Sequence, residues 1–331
     1  MNTQLFSHLP RVSLAHLPTP LEAMPRLSQA LGGPQLFVKR DDQTGLAGGG
    51  NKTRKLEFVL ADALRHEADT IITTGAMQSN HARQTAAAAA RYGLHSVLVL
   101  RGSAPDKING NLLLDRLLGA EVVWAEDRSR DVVMDEVAER EKAAGRTPYT
   151  VPGGASVPLG ITAYALAMFE LQEQMEAAGH SFDRIVFGSG SGGTHAGLVV
   201  GASLTGFRGE ILGISIDRQA DLLRESVARL ATETAQFLGK PHSYRPEDIS
   251  VNADYHGQGY SILGPGEREA IELFARNEGL LLDPVYAGRA AAGLIDLIRK
   301  RVIGRDERVL FWHTGGTPAL FAYADELIGS D

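Results

Sequence analysis

The chain has 331 residues with 33 basic and 40 acidic side chains, a net charge of −7, and 44% hydrophobic and 22% charged residues. That balance belongs to a globular protein with a sizeable core, on length about two domains, and argues against nucleic acid or an anionic membrane surface as the main partner. The absence of cysteine removes disulfides, thiol nucleophiles and cysteine-ligated metals, and fits a cytosolic location.

The N-terminal stretch "MNTQLFSHLPRVSLAHLPTP" lacks the basic start and long apolar run of a signal peptide or anchor. No apolar run reaches about 18 uncharged residues, so no membrane span is expected. Strands are predicted at 36–40, 70–75, 96–100, 121–125, 148–152, 184–188, 211–216 and 308–313. Helical patterns fill most gaps, at 53–66, 80–92, 109–118, 131–144, 158–178, 195–204, 219–238, 266–278, 288–300 and 317–327. This alternation predicts an α/β fold, three-layered αβα, with mainly parallel sheets. The continuous apolarity of "RIVFG" and "RVLFWH" fits strands covered on both faces. Gly- and Pro-rich breaks at "LAGGGN" (46–51) and "PGGASVPLG" (152–160) bracket a block with its own βα alternation. The expected division is a smaller inserted domain, 49–155, within a larger one formed by 1–48 and 156–331.

Two loops carry chemistry. "RIVFGSGSGGTHAGLVVG" reads as strand, glycine-rich turn, helix. Unpaired N–H groups at such a helix start, together with the helix dipole, form an anion site, most often for phosphate. Ser189, Ser191 and Thr194 add hydroxyls. Gly188, Gly190 and Gly193 also match G-x-G-x-x-G, with Asp217 about two dozen residues on, so a nicotinamide dinucleotide competes with another phosphate-bearing cofactor. The second loop is "GLAGGGNKTRKLEF", residues 45–58. Its glycines allow the backbone to approach a bound group. Lys52 stands at a helix start, where the dipole disfavours a cation, and Arg54 and Lys55 are expected to push its amine further toward the neutral, nucleophilic form. A neutral amine beside a phosphate site suggests a Schiff base with pyridoxal phosphate. In "TTGAMQSNHARQ", Gln78, Ser79 and Asn80 sit between a strand end and a helix start, which suits a cap or a ligand pocket.

Five segments in this order, "GGGNKTRKLEF", "QSNHARQTAAAAA", "GSGSGGTHAGL", "LLDPVYAGRAAAGLI" and "HTGGTPALFAY", resemble the D-cysteine desulfhydrase and 1-aminocyclopropane-1-carboxylate (ACC) deaminase family. The resemblance covers nearly the whole chain. It implies a pyridoxal-phosphate enzyme of the tryptophan-synthase-β-like fold (fold type II), a homodimer, acting on a small amino acid. By similarity, Lys52 carries the cofactor and, once freed by substrate, acts as base. Asn80 bonds the ring hydroxyl, Ser191, Gly192, Gly193 and Thr194 hold the phosphate, and Asn51 and Thr314 also line the cofactor. Gln78, Ser79 and Asn80 approach the substrate, and Tyr260 and Tyr286 match two active-site tyrosines, with Ser79 and both tyrosines as candidate catalytic groups beside Lys52.

The ACC deaminases that the chain resembles have Glu and Leu where it has Ala287 and Thr314, and the desulfhydrases have Thr or Ser at the first position and Gly at Ser261. The segment 101–111 is short and lacks the relatives' aromatic residue. A carboxylate near the pyridine nitrogen strengthens the electron sink that ring opening demands. β-Elimination from D-cysteine is therefore expected first, loss of sulfite from L-cysteate second, and ACC deamination or a nicotinamide oxidoreductase after them. A non-catalytic amino-acid binder stays open because of Ala287. His256, Arg289 and Lys107 are candidate partners for a sulfonate. No metal site is expected: Asp41–Asp42 reads as a charged strand end, and His81, His195 and His313 as hydrogen-bonding residues at element ends.

Overall fold

A computed structural model describes residues 3–257 and 259–328. The outermost residues of the larger expected domain, 1–2 and 329–331, and Gln258 of "GQGYS" lie outside the described residues. All eight predicted strands form within one residue of their expected bounds. In chain order the strands are β1 (Leu21–Ala23), β2 (Gln35–Arg40), β3 (Thr70–Gly75), β4 (His95–Leu100), β5 (Glu121–Trp124), β6 (Pro148–Val151), β7 (Arg184–Ser189), β8 (Glu210–Ser215), β9 (Val251–Asn252) and β10 (Arg308–His313). β1 and β9, unforeseen, have three and two residues and are too short to show an alternating pattern; they form by pairing with the edges beside them.

The strands make two sheets, ordered β1-β2-β10-β7-β8-β9 and β5-β4-β3-β6. Every pairing is parallel except β1 with β2. β7 and β10 lie side by side, buried along nearly their whole length, as their unbroken apolar runs require.

Helix Pro158–Ala178 is framed by its own signals. Proline stands in its first turn, and Gly179 in the left-handed conformation ends it. Tyr164, Met168 and Leu171 of this helix pack with Phe187, Leu198 and Trp312 in one core. Helix Ala287–Arg299 covers the other face of the larger sheet, with Ala290, Leu294 and Ile298 against Val186, Ile214 and Phe311. The expected helix 317–327 breaks instead into Thr317–Leu320, a 3-10 turn Phe321–Tyr323, and Ala324–Ile328. The break turns Tyr323 inward, where its hydroxyl donates to the Ser261 carbonyl at 3.0 Å. No helix among the described residues is long and apolar enough to cross a membrane.

A buried ionic cluster ties helix Asn51–Arg65 to helix Pro158–Ala178 and to the end of β2. Arg54 grips Asp41 with two bonds, Nε at 2.9 Å and Nη2 at 2.8 Å, and grips Glu170 with two more at 2.9 Å. Lys39 joins Glu170 and Gln174, and Tyr164 donates to Asp41. Burial alone pushes the Asp41 carboxyl up, but the Arg54 guanidinium outweighs it and holds the group at about 2. Asp41, at the charged strand end expected from the sequence, is thus half of a buried ion pair.

Candidate active site

Because the sheets are parallel, the C-terminal ends of their strands open the same way, and loops leaving those ends build a crevice. β3, β7, β8 and β10 contribute the loops that line a cavity of about 340 Å³, within the range of small-molecule sites. Lys52, Asn51, Ser79, Asn80, Ser191, Gly192, Thr194, Tyr260, Tyr286 and Thr314 all line it. The structure thus brings together, from six separate segments, most of the catalytic and cofactor-binding candidates read from the sequence.

Lys52 reaches the cavity because of the turn before it. Ala47, Gly48, Gly49 and Gly50 hold φ of 45°, 85°, 69° and 126° in succession, a path that costs an L-residue about 1–2 kcal/mol per position. At Gly49 a Cβ would also run into the Asp42 carbonyl. The turn is held from outside: Arg83 donates to the carbonyls of Ala47 and, at 3.0 Å, Gly49. Helix Asn51–Arg65 starts at once, with Lys52 its second residue. Burial lowers the Lys52 amine to about 8; Asp283 opposes the shift and Arg83 adds to it. The expectation that Arg54 depresses this amine is corrected here, while Lys55 and Lys52 do repel each other. Arg54 is engaged by Asp41 and Glu170, and the distant Arg83 supplies the repelling charge.

The glycine-rich loop after β7 turns at Gly192, φ 83°, into helix Gly193–Thr205. Its first-turn N–H groups have no intrahelical partners and border the cavity. Asn51 joins the two loops: its Oδ1 accepts from Lys52 Nζ at 3.1 Å and its Nδ2 donates to Thr194 Oγ1 at 3.1 Å. Ser191 and Ser156 share a hydroxyl bond of 2.8 Å. Gly193 does not itself line the cavity, but a Cβ there would meet Ser156 Oγ and, at 2.8 Å, Lys55 Nζ. Lys55 is fully buried, and its amine donates to the Gly154 carbonyl at 3.2 Å. Burial, then the charge of Lys52, lowers it well below an ordinary lysine. An amine of this kind beneath open helix N–H groups suits a phosphate dianion. Sequence reasoning missed this role, although the signal was present: Lys52 and Lys55 are three apart, on one helix face. A group carrying a phosphate at one end and an aldehyde at the other fits these residues.

Ser79 caps helix Asn80–Arg91, its Oγ accepting from Ala82 N at 3.1 Å, so both the cap and the pocket readings hold. Asn80 Oδ1 accepts from Asn111 Nδ2 at 2.9 Å, which fixes the amide and leaves Nδ2 as a donor for the cavity. Gln78 does not line the cavity. Its Oε1 accepts from Asn111 N at 2.8 Å and its Nε2 donates to Asn109, so it braces the segment that carries Asn111. Asn111→Ala is expected to free the Asn80 amide and raise the Kd for cofactor roughly tenfold, the value of about one hydrogen bond; titration of cofactor-free protein measures it.

Tyr260 and Tyr286 stand with hydroxyls 3.2 Å apart and rings at 82°. Burial raises both above an ordinary phenol, so both keep their protons at neutral pH. Asp283 positions Tyr286 by accepting from the N–H groups of Val285 at 3.1 Å, Tyr286 at 2.9 Å and Ala287 at 2.9 Å. Ala287 lies in the core rather than on the cavity wall. Arg289 is fully buried on Glu267 and donates to the carbonyls of Gly259 and Ile262, bracing the loop of Tyr260. Ser261 in that loop has φ 64°, a conformation that glycine adopts without strain. Arg289 is therefore not free to meet a sulfonate, and His256 and Lys107 do not line the cavity. Arg101, Arg130 and Arg218 do, with Asp131 and Asp217.

The three histidines at element ends are hydrogen-bonders: His81 with Thr73 at 2.9 Å, His195 with Ser189 at 3.2 Å, and His313 with Leu281 and Gly315. Away from the cavity, His95, Glu121 and Glu141 lie close enough to hold a cation. Arg140 and Arg146 already engage both carboxylates.

Residues 12–315 match the model of a family described as pyridoxal-phosphate-dependent enzymes. A D-cysteine desulfhydrase of Klebsiella pneumoniae (strain 342) is 44% identical over 99% of this chain and all of its own length. A Pyrococcus abyssi protein provisionally named a 1-aminocyclopropane-1-carboxylate deaminase is 41% identical, over 98% of this chain and 97% of its own. The crystal structure of an ACC deaminase homologue superposes with a TM-score of 0.90 at 39% identity, covering 98% of this chain and 97% of that one. Threonine deaminase isoform 2 of Solanum lycopersicum shares the fold at a TM-score of 0.66 and 19% identity, over 96% and 85% of the two chains. The family match favours pyridoxal phosphate over the nicotinamide dinucleotide that the G-x-G-x-x-G spacing had left open.

Proposed function

The chain belongs to the pyridoxal-phosphate-dependent enzyme family, and we propose that within it this enzyme is a carbon–sulfur lyase acting on D-cysteine. The overall reaction takes D-cysteine and water to pyruvate, hydrogen sulfide and ammonia. The observation that carries the reading is the pair of protonated phenols, Tyr260 and Tyr286, lining the same cavity as the Lys52 amine. The cofactor, when bound, withdraws electrons from the substrate Cα. The chain's own groups then move protons. Lys52 takes the Cα proton, and the Tyr260–Tyr286 pair donates to the departing sulfur. Ser79 and the Asn80 Nδ2 hold the substrate carboxylate and the cofactor ring oxygen. Gly192, Gly193, Thr194 and Lys55 hold the phosphate. The four-stranded sheet is proposed as the core of the inserted domain, 49–155, so that the cavity lies between two domains.

D-Cysteine is favoured over ACC because ring opening requires an acid that strengthens the electron sink. Ala287 has none to give, Thr314 is neutral, and Asp283 spends its oxygens on three backbone N–H groups. A second reading, sulfite loss from L-cysteate, is supported by Arg101, Arg130 and Arg218 at the cavity, where guanidinium groups suit a sulfonate. A panel of D-cysteine, L-cysteine, L-cysteate and ACC, with pyruvate, 2-oxobutyrate, sulfide and sulfite each measured, separates these readings. Sulfide and pyruvate from D-cysteine at the highest kcat/KM is the expected result, and 2-oxobutyrate from ACC at a higher kcat/KM would overturn it.

A further inference from the structure

Tyr260 lies on the connection between β9 and helix Pro265–Glu278, outside any helix or strand. Its neighbours Gly259 and Ser261 have φ of 135° and 64°, so the backbone turns sharply on both sides of the phenol. Side chains from distant segments hold this loop. Arg289, fully buried, donates from Nη1 to the Gly259 carbonyl at 3.1 Å and from Nη2 to the Ile262 carbonyl at 2.9 Å. Its Nη1 also donates to the carbonyl of Ile216, which follows β8 and lines the cavity. Its Nε donates to the buried Glu267 at 2.8 Å, which answers the charge. The carbonyl between, that of Ser261, accepts from Tyr323 at 3.0 Å.

The same helix start seats the second phenol. Tyr286 immediately precedes helix Ala287–Arg299, and Arg289 is the third residue of that helix. Tyr286 rests on the loop after β7, where a Cβ at Gly188 would lie 2.8 Å from its carbonyl and one at Gly190 would lie 3.2 Å from its ring. One rigid element therefore carries Tyr286 and grips the loop of Tyr260. We propose that Arg289 is a positioning residue for Tyr260: with Tyr323 as a second hold, it fixes the phenol hydroxyl 3.2 Å from that of Tyr286 and within reach of the departing sulfur. The inference rests on the proposed lyase reaction. In that reaction the Cβ–S bond breaks, its electron pair leaves with sulfur, and the phenol proton goes to that sulfur. A general acid works only within hydrogen-bond reach, roughly 2.6–3.2 Å, and a displacement of about 1 Å costs on the order of 100-fold.

The leaving group separates positioning of an acid from general damage to the fold. Chloride departs from β-chloro-D-alanine without a proton, whereas sulfur departs from D-cysteine with one. The readout is the ratio of kcat/KM for D-cysteine to that for β-chloro-D-alanine, with Tyr260→Phe as the reference for a lost acid. Arg289→Gln alone would strand Glu267, so the variant is Glu267→Gln/Arg289→Gln, which leaves no unpaired charge. Its ratio should fall by on the order of tenfold, in the direction of Tyr260→Phe. Tyr323→Phe removes one hold and strands no charge, so its ratio should fall by about threefold, the value of a single hydrogen bond. Falling ratios in both variants support the proposal. Equal losses on the two substrates in the double variant, while Tyr260→Phe lowers the ratio, overturn it. If the double variant fails to fold, an unchanged ratio in Tyr323→Phe overturns it. If Tyr260→Phe itself leaves the ratio unchanged, or the parent protein does not turn over D-cysteine, the lyase reading fails instead, and the two failures remain distinct.

Discussion

Lys52→Ala is expected to abolish turnover while leaving the fold in place. On the proposed function the residue holds two roles at once, anchor of the cofactor and base at the substrate Cα. Loss of a positioned base alone costs roughly 10²–10⁴-fold in rate, and the missing attachment adds to it. Nothing nearby substitutes. Lys55 lies on the same helix face, but it is fully buried and its amine donates to the Gly154 carbonyl. The fold should survive because Lys52 is half-buried and its one hydrogen bond is to Asn51; the melting temperature should hold or rise, since a buried amine lowered to about 8 is protonated at a cost at neutral pH. Steady-state kinetics with any substrate the parent turns over, beside a thermal melt, checks both halves. A variant retaining more than a few per cent of kcat removes Lys52 from the chemistry.

Arg54→Ala should have the largest effect on stability. It removes the guanidinium from the fully buried Asp41 and from the partly buried Glu170, in a cluster that also holds Lys39, Thr19 and Tyr164. Breaking a buried pair from one side costs about 3–5 kcal/mol, read as a lowered urea midpoint. A loss below about 1 kcal/mol would show that the cluster relaxes or admits water. The same pair sets an acid limit. Asp41 titrates at about 2 folded against an ordinary value near 4. The roughly 2 kcal/mol this contributes is fully present above pH 4 and is lost as pH falls through 2. Because Arg54 lies two residues past Lys52, the cluster also anchors the helix that carries the active amine.

The features that could be read from the sequence are those carried by local pattern. β7 and β10 announced themselves by continuous apolarity, and helix Pro158–Ala178 by its proline and its glycine. The triple-glycine turn and the serine–glycine loop each combine a strained path with one chemical group, so position and chemistry were visible together. What escaped depends on contacts between distant segments. Arg83 is thirty-one residues from Lys52 along the chain yet acts on its amine. Arg54, two residues away, points to the opposite side, because residues i and i+2 do not share a helix face. Gln78 was grouped with Ser79 and Asn80 by adjacency, but its amide is taken by Asn109 and Asn111, and nothing in the local sequence gives that direction. Arg289 looked like a free cation until Glu267 and two loop carbonyls claimed it.

The central claim is that the Lys52 amine bears the cofactor. Reduction of the loaded enzyme with borohydride, proteolysis and mass spectrometry of the peptide covering residues 45–58 tests it most directly. A pyridoxyl-phosphate mass fixed on Lys52, with Lys55 unmodified, is the predicted result. A fully loaded enzyme whose reduced adduct sits on any other side chain, or which yields no adduct, contradicts the account.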